Sequence, residues 1–133
     1  MYNKDVLLYN KKVTLINEID YKEKRSEFIA LLYKVENITD ANGIISSLKK
    51  KHHKARHVLS CLNLDDSFII KEDGEPIKAM HILFDEMKRK EIKNYLLCIV
   101  RYYGGINLGQ NRLSKVYYEL GNKLLNQIDT NSK

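Results

Sequence analysis

Residues 95–109 read YLLCIVRYYGGINLG, and the interpretation of this stretch decides the fold. Residues 95–100 have no polar face. An apolar run that short and that rich in β-favouring side chains is expected to be a central strand covered on both sides. Gly104 and Gly105 then allow the backbone to turn at positive φ, and beyond Gly109 the apolar spacing becomes helical, with a start near Asn111. Backbone amides at such a turn can cradle a phosphate, with Arg101 and Arg112 adding charge. The same glycines equally suit a tight connection beneath a packed helix. A P-loop is excluded because its lysine-serine/threonine ending is missing, and a dinucleotide fingerprint because the glycine spacing is wrong.

Toward the N-terminus, residues 6–9 and 13–19 are β-rich and separated by the polar Asn10, Lys11 and Lys12, which predicts a hairpin. Residues 21–26 are charged and read as a loop, and residues 28–35 as a further strand. Thr39 or Asp40 is expected to cap a helix whose Ala41, Ile44, Ile45 and Leu48 recur at helical spacing and should face the sheet. That helix runs into Lys49, Lys50, Lys51, His52, His53 and Lys54, with Arg56 and His57 beyond. The helix macrodipole favours positive charge there, and so would a phosphate-bearing partner. His53 and His57 are four apart, but the segment should leave the helix between them, and no metal site is expected.

Residues 58–64 and 68–71 predict a second hairpin across Asp65, Asp66 and Ser67. KEDGEP follows, where Glu72, Asp73 and Glu75 surround Gly74 ahead of the chain's only proline, Pro76. Three carboxylates this close could hold a hard cation, supply a general base or decorate an exposed turn. Met80, Leu83, Phe84 and Met87 place an amphipathic helix over residues 79–90. Leu113, Val116, Tyr117, Leu120, Leu124 and Ile128 mark one face of a long final helix, and residues 129–133 read as a polar tail. The economical architecture is a single α+β domain spanning residues 1–133, with a core at about 26–128: two layers, the helices packed on one face of a sheet.

A chain of 133 residues with 44% hydrophobic content suits one domain with a real core. Lysine and arginine number 23 against 17 acidic residues, a formal charge of +6. That balance favours nucleic acid, a ribosome or another acidic partner. No apolar run approaches the roughly 20 residues that span a bilayer, so a soluble, cytoplasmic protein without membrane association is expected. Cys61 and Cys98 lie in apolar strand-like runs without CxxC spacing and are expected to be buried thiols.

Taken in order, SEFIALLYKV, KKHHKARHVLSC, KEDGEP and IVRYYGGINLG resemble the domain shared by the IMPACT/YigZ family. The matching positions are Ser26, Phe28, Ile29 and Ala30; Ala55 and His57; Asp73, Gly74, Glu75 and Pro76; and Arg101, Tyr102, Gly104, Gly105, Leu108 and Gly109. The resemblance implies a fold like the second domain of ribosomal protein S-five and a link to translation, with no reaction established for the family. Where the family's turn reads DDGEP, Glu72 replaces the first aspartate. Asn107 stands where the family favours lysine, and Asn111 and Arg112 replace a glycine pair. The family's usual attachments, an N-terminal RWD module or a second C-terminal domain, are not expected to fit in 133 residues.

Three functions are weighed on this basis. The first is a translation-associated, non-enzymatic binding or regulatory protein that docks on the ribosome or structured RNA through Lys49, Lys50, Lys51, Lys54, Arg56, Arg101 and Arg112. The second is a phosphate- or nucleotide-binding domain, or an enzyme, using the Gly104 and Gly105 turn together with Asp73 or Glu75; it requires those groups to share one pocket. The third is a protein-interaction module for a translation regulator or actin, with Tyr102, Tyr103 and Tyr118 as contact residues. No cofactor is implied, and the oligomeric state is left open.

Overall fold

The structure, a computed structural model, describes residues 4–8 and 11–128. Asn10 of the first expected turn and the expected tail at 129–133 lie outside the described residues. In chain order the elements are β1 (Lys4–Leu8), β2 (Lys11–Glu23), β3 (Ser26–Lys34), α1 (Ile38–Lys51), β4 (His57–Asn63), β5 (Phe68–Lys71), α2 (Ala79–Arg89), β6 (Tyr95–Tyr102) and α3 (Gln110–Leu125). The strands form one six-stranded sheet in the order β1-β2-β3-β6-β4-β5, antiparallel at every pairing. The apolar run at 95–100 is therefore central, flanked by β3 and β4.

Side chains alternate across a strand, and here both sets are apolar. Phe28, Ala30, Leu32, Leu59, Cys61, Leu97 and Ile99 point to one face, where α2 and α3 cover them. Leu31, Tyr33, Val58, Leu62, Leu96, Cys98 and Val100 point to the other, where α1 lays down Ala41, Ile44, Ile45 and Leu48. The α+β reading holds, but the expectation of helices on one face is corrected. A sheet whose strands β3, β6 and β4 are apolar on both sides needs a cover on each. Phe28 meets Tyr117 of α3 edge-on at 5.6 Å between ring centroids. Cys61 and Cys98 are buried free thiols, and burial pushes both well above the ordinary thiol range.

Two local expectations change. Residues 21–26 form no loop: β2 continues to Glu23, and β3 begins at Ser26 after a two-residue turn in which Lys24 (φ 48°) and Arg25 (φ 66°) are both left-handed. Two consecutive residues at positive φ match the twist of the flanking strands. The cap of α1 is Asn37, not Thr39 or Asp40; its Oδ1 accepts from the Asp40 N–H at 2.9 Å. Among the described residues no helix is long and apolar enough to cross a membrane.

Candidate functional site

The register brings the chemistry-bearing residues together at one end of the sheet. Arg101 of β6 lies directly opposite Phe28 of β3 and His57 of β4. Cross-strand partners share a face, so all three point toward the α2/α3 side. The DGEP turn folds over this end with Asp73 (φ 53°) and Gly74 (φ 80°) in left-handed conformations. It is pinned to β4 twice: the Asp73 carboxylate accepts from Val58 N–H at 2.6 Å, and the Asp73 carbonyl accepts from His57 Nδ1 at 2.7 Å. Because a carbonyl can only accept, His57 donates through Nδ1, and its Nε2 is turned toward Glu75.

Glu75 is then carried into the interior, where only 6% of the residue is exposed. Its Oε2 accepts from Arg101 Nη1 at 2.8 Å and from the Tyr117 hydroxyl at 2.5 Å, and lies 3.7 Å from His57 Nε2. Burial and the adjacent carboxylate hold the Tyr117 phenol far above its ordinary range, so it stays a donor. Arg101 is itself 7% exposed, and its Nε has no hydrogen-bond partner among the described residues. Sequence reasoning placed Tyr117 only in an apolar stripe; a hydroxyl-bearing ring within such a stripe is the signal that a buried acceptor is near.

The three carboxylates of KEDGEP do not converge. Glu72 caps α2 from a distance, its oxygens accepting from Met80 N–H at 2.9 Å and His81 N–H at 3.0 Å, with His81 Nδ1 at 2.7 Å. This supplies the cap that Lys78 does not. The longer Glu72 side chain thus has a task of its own in this chain. Asp73 holds β4 and lies 3.8 Å from Lys49 Nζ, and Glu75 pairs with Arg101. Among the described residues no group of three histidine, cysteine or carboxylate side chains is placed to hold a metal.

Beside Glu75 opens a cleft of about 430 Å³, walled by Arg56, His57, Arg101, Tyr103 and the start of α3 at Gly109 and Gln110. Gly109 (φ 86°) is the N-cap of α3 and offers no side-chain acceptor, and the first turn carries no acidic residue. Leu113 N–H bonds the Gly109 carbonyl, which leaves the amides of Gln110, Asn111 and Arg112 ahead of the first helical bond. Neither Gly104 nor Gly105 walls this cleft. A Cβ on Gly104 would lie 1.9 Å from the Arg25 carbonyl oxygen, so that glycine admits the β2–β3 turn against the backbone. Gly105 turns at φ 90° in open space. Gly104 is thus taken up by the close approach of the β2–β3 turn, and the uncapped amide that lines the cleft is at the start of α3, after Gly109.

The expected basic residues separate into two groups. Lys49, Lys50, Lys51, Lys54 and Arg56 are exposed at the end of α1 and in the segment beyond it. Arg56 lies over the Tyr103 ring at 5.0 Å and joins this surface to the cleft. Arg101 is buried, and Arg112 is tied to the β2–β3 hairpin through Glu23 at 2.8 Å and the Tyr21 hydroxyl at 3.2 Å. The Arg112 contact holds the Glu23 carboxyl down at about 2. Both arginines are committed to intramolecular carboxylates, so neither is a loose surface cation. Of the tyrosines, Tyr102 meets His52 Nδ1 at 2.6 Å, Tyr103 bonds Asn107 at 2.9 Å, and Tyr118 is 37% exposed on α3. Burial, and then Lys51, depress the pKa of His52.

Comparison with known proteins follows the same residues. The chain is 29% identical over 109 residues to the IMPACT family member YvyE of Bacillus subtilis, covering 79% of this chain and 50% of that protein. It is 30% identical over 127 residues to the IMPACT family member YigZ of Escherichia coli, covering 91% of this chain and 60% of that protein. It thus spans about half the length of the curated relatives it matches. A crystal structure of a hypothetical protein superposes with a TM-score of 0.74 at 28% identity, over 84% of this chain and 57% of the other. A weaker superposition, TM-score 0.49 at 21% identity, is with the two-domain translational regulator Yih1, over 86% of this chain and 46% of the other. Residues 24–125, which contain every motif of the cleft, match the Impact N-terminal domain, and the chain belongs to that family.

Proposed function

We propose that this domain is a translation-associated, non-enzymatic binding module that docks on ribosomal or other structured RNA through Lys49, Lys50, Lys51, Lys54 and Arg56. The observation that carries the reading is the exposure of all five at one corner of the fold, continuous through Arg56 with the cleft. The macrodipole accounts for cations in the last turn of α1, but Lys54 and Arg56 lie beyond the helix and need another reason. Phosphate contacts supply affinity, and the shape of the RNA supplies specificity. The link to translation comes from the family resemblance. The longer relatives carry more chain than this domain, so their partners enter only as part of this proposal.

Co-sedimentation with ribosomes on sucrose gradients tests the reading. The domain should travel with ribosomal particles at low salt, leave them as salt rises, and fail to bind when Lys49, Lys50 and Lys51 are all replaced by glutamate. Migration only at the top of the gradient at low salt would refute it. Co-migration that survives nuclease and high salt would point to a protein partner instead.

A further inference from the structure

We infer that the cleft between β6 and the start of α3 is a binding site for the phosphate of a nucleotide unit. The inference deepens the RNA-docking reading by giving one phosphate a specific seat. Two independent features converge there. Gly109 leaves the amides of Gln110, Asn111 and Arg112 without a side-chain cap and without a nearby acidic residue, which is the arrangement that attracts an anion to a helix N-terminus. Arg101, more than nine-tenths buried, forms part of the same wall; its Nη1 is on Glu75, its guanidinium lies over the Phe28 and Tyr103 rings, and its Nε is buried without a hydrogen-bond partner among the described residues. A buried guanidinium with a spare Nε–H is poised for a second, charge-assisted acceptor.

The local charge favours an anion despite Glu75. Arg101 and Tyr117 both donate to the Glu75 carboxylate, and Arg56 adds a further cation at the rim. A phosphate fills only part of about 430 Å³; the remainder accommodates the attached ribose, as expected of a small-ligand cleft. The phosphate can come from a free nucleotide or from an RNA strand, and the chemistry at the α3 amides is the same.

The test is a titration of the full, isotope-labelled chain followed by NMR, using inorganic phosphate, a nucleoside 5′-monophosphate, the unphosphorylated nucleoside and a short oligoribonucleotide. Phosphate and the monophosphate should shift the amides of Gln110, Asn111 and Arg112 and the Arg101 Nε–H, while the nucleoside leaves them unmoved. Gln110→Glu places a competing carboxylate in the first turn. It should weaken phosphate and monophosphate about tenfold, roughly the loss of one charge-assisted hydrogen bond. The fold should be retained, because acidic residues suit that end of a helix. No response of these amides to either phosphate compound, or a response that Gln110→Glu leaves unchanged, overturns the site. Oligoribonucleotide binding that shifts the surface at residues 49–56, with neither phosphate compound moving the α3 amides, overturns the site and leaves the RNA reading intact. Phosphate bound at α3 with no oligoribonucleotide binding sustains the site for a free nucleotide and removes the RNA reading.

Discussion

Replacement of Glu75 by alanine should cost about 3–5 kcal/mol of folding stability, the usual consequence of removing one member of a buried ion pair. The structure accounts for the size. Glu75 is 6% exposed and its Oε2 is the acceptor for both Arg101 Nη1 and the Tyr117 hydroxyl, so deletion leaves a buried guanidinium and a buried phenol facing an empty space. Arg101 would then have Nη1 as well as Nε without a partner. For a chain of this size the loss corresponds to a fall of about 10–20 °C in Tm. Urea unfolding followed by circular dichroism measures it, with two companions. Glu75→Gln keeps an acceptor of the same shape and should cost less, about 1–3 kcal/mol. The double variant Glu75→Leu with Arg101→Met removes both charges and should recover most of the stability lost in Glu75→Ala. A cost below about 1 kcal/mol for Glu75→Ala would refute the buried network, because a solvated carboxylate is the only placement that makes its loss so cheap.

The other expected outcomes concern the hairpin, the glycine turn and α1. Glu23 is held at about 2 against an ordinary 4.5, chiefly by the Arg112 hydrogen bond, so its contribution is present above pH 4.5 and lost as pH falls through about 2. Glu23→Gln should therefore be less stable than the parent at neutral pH and converge with it near pH 2 in a series of urea melts. Gly104→Ala should destabilise by about 1–3 kcal/mol through collision with the Arg25 backbone. Gly105→Ala meets no neighbour and pays only for positive φ, about 1 kcal/mol. Equal costs for these two would contradict the placement of the β2–β3 turn. Asn37→Ala should cost about 1 kcal/mol by removing the cap on Asp40 N–H, where Thr39→Ala should not.

Much of the secondary structure was legible because burial leaves a periodic trace. The stripes of α1, α2 and α3 and the unbroken run of β6 all carry the spacing their conformations require. Periodicity says that a side chain is buried but not which layer buries it, so the division of the helices between two faces was not visible. Residues 21–26 resembled a loop because four of the six are charged, which hides the one apolar contact that Tyr21 makes with the core. The site was half legible. The residues of DGEP and RYYGG were singled out, but the pairing of Glu75 with Arg101 spans 26 positions and depends on β4 and β6 being neighbours. Arg112 and Glu23 are 89 positions apart, and nothing local announces their contact. Glu72 looked like one of three equivalent carboxylates, whereas its partners are the first amides of a helix whose own cap position lacks an acceptor.

The central claim is that the corner formed by Lys49, Lys50, Lys51, Lys54 and Arg56 neutralises RNA phosphates. The most direct test is the salt dependence of binding to purified ribosomes, comparing the parent with the triple glutamate variant at positions 49, 50 and 51. Five phosphate contacts release counterions to give a slope of log K against log salt of about −3.5 to −4.5. The account predicts a slope in that range for the parent and a loss of at least three-fifths of it, together with much weaker binding, in the variant. Parent binding that is flat with salt, or a variant that binds with the parent's slope, would contradict it.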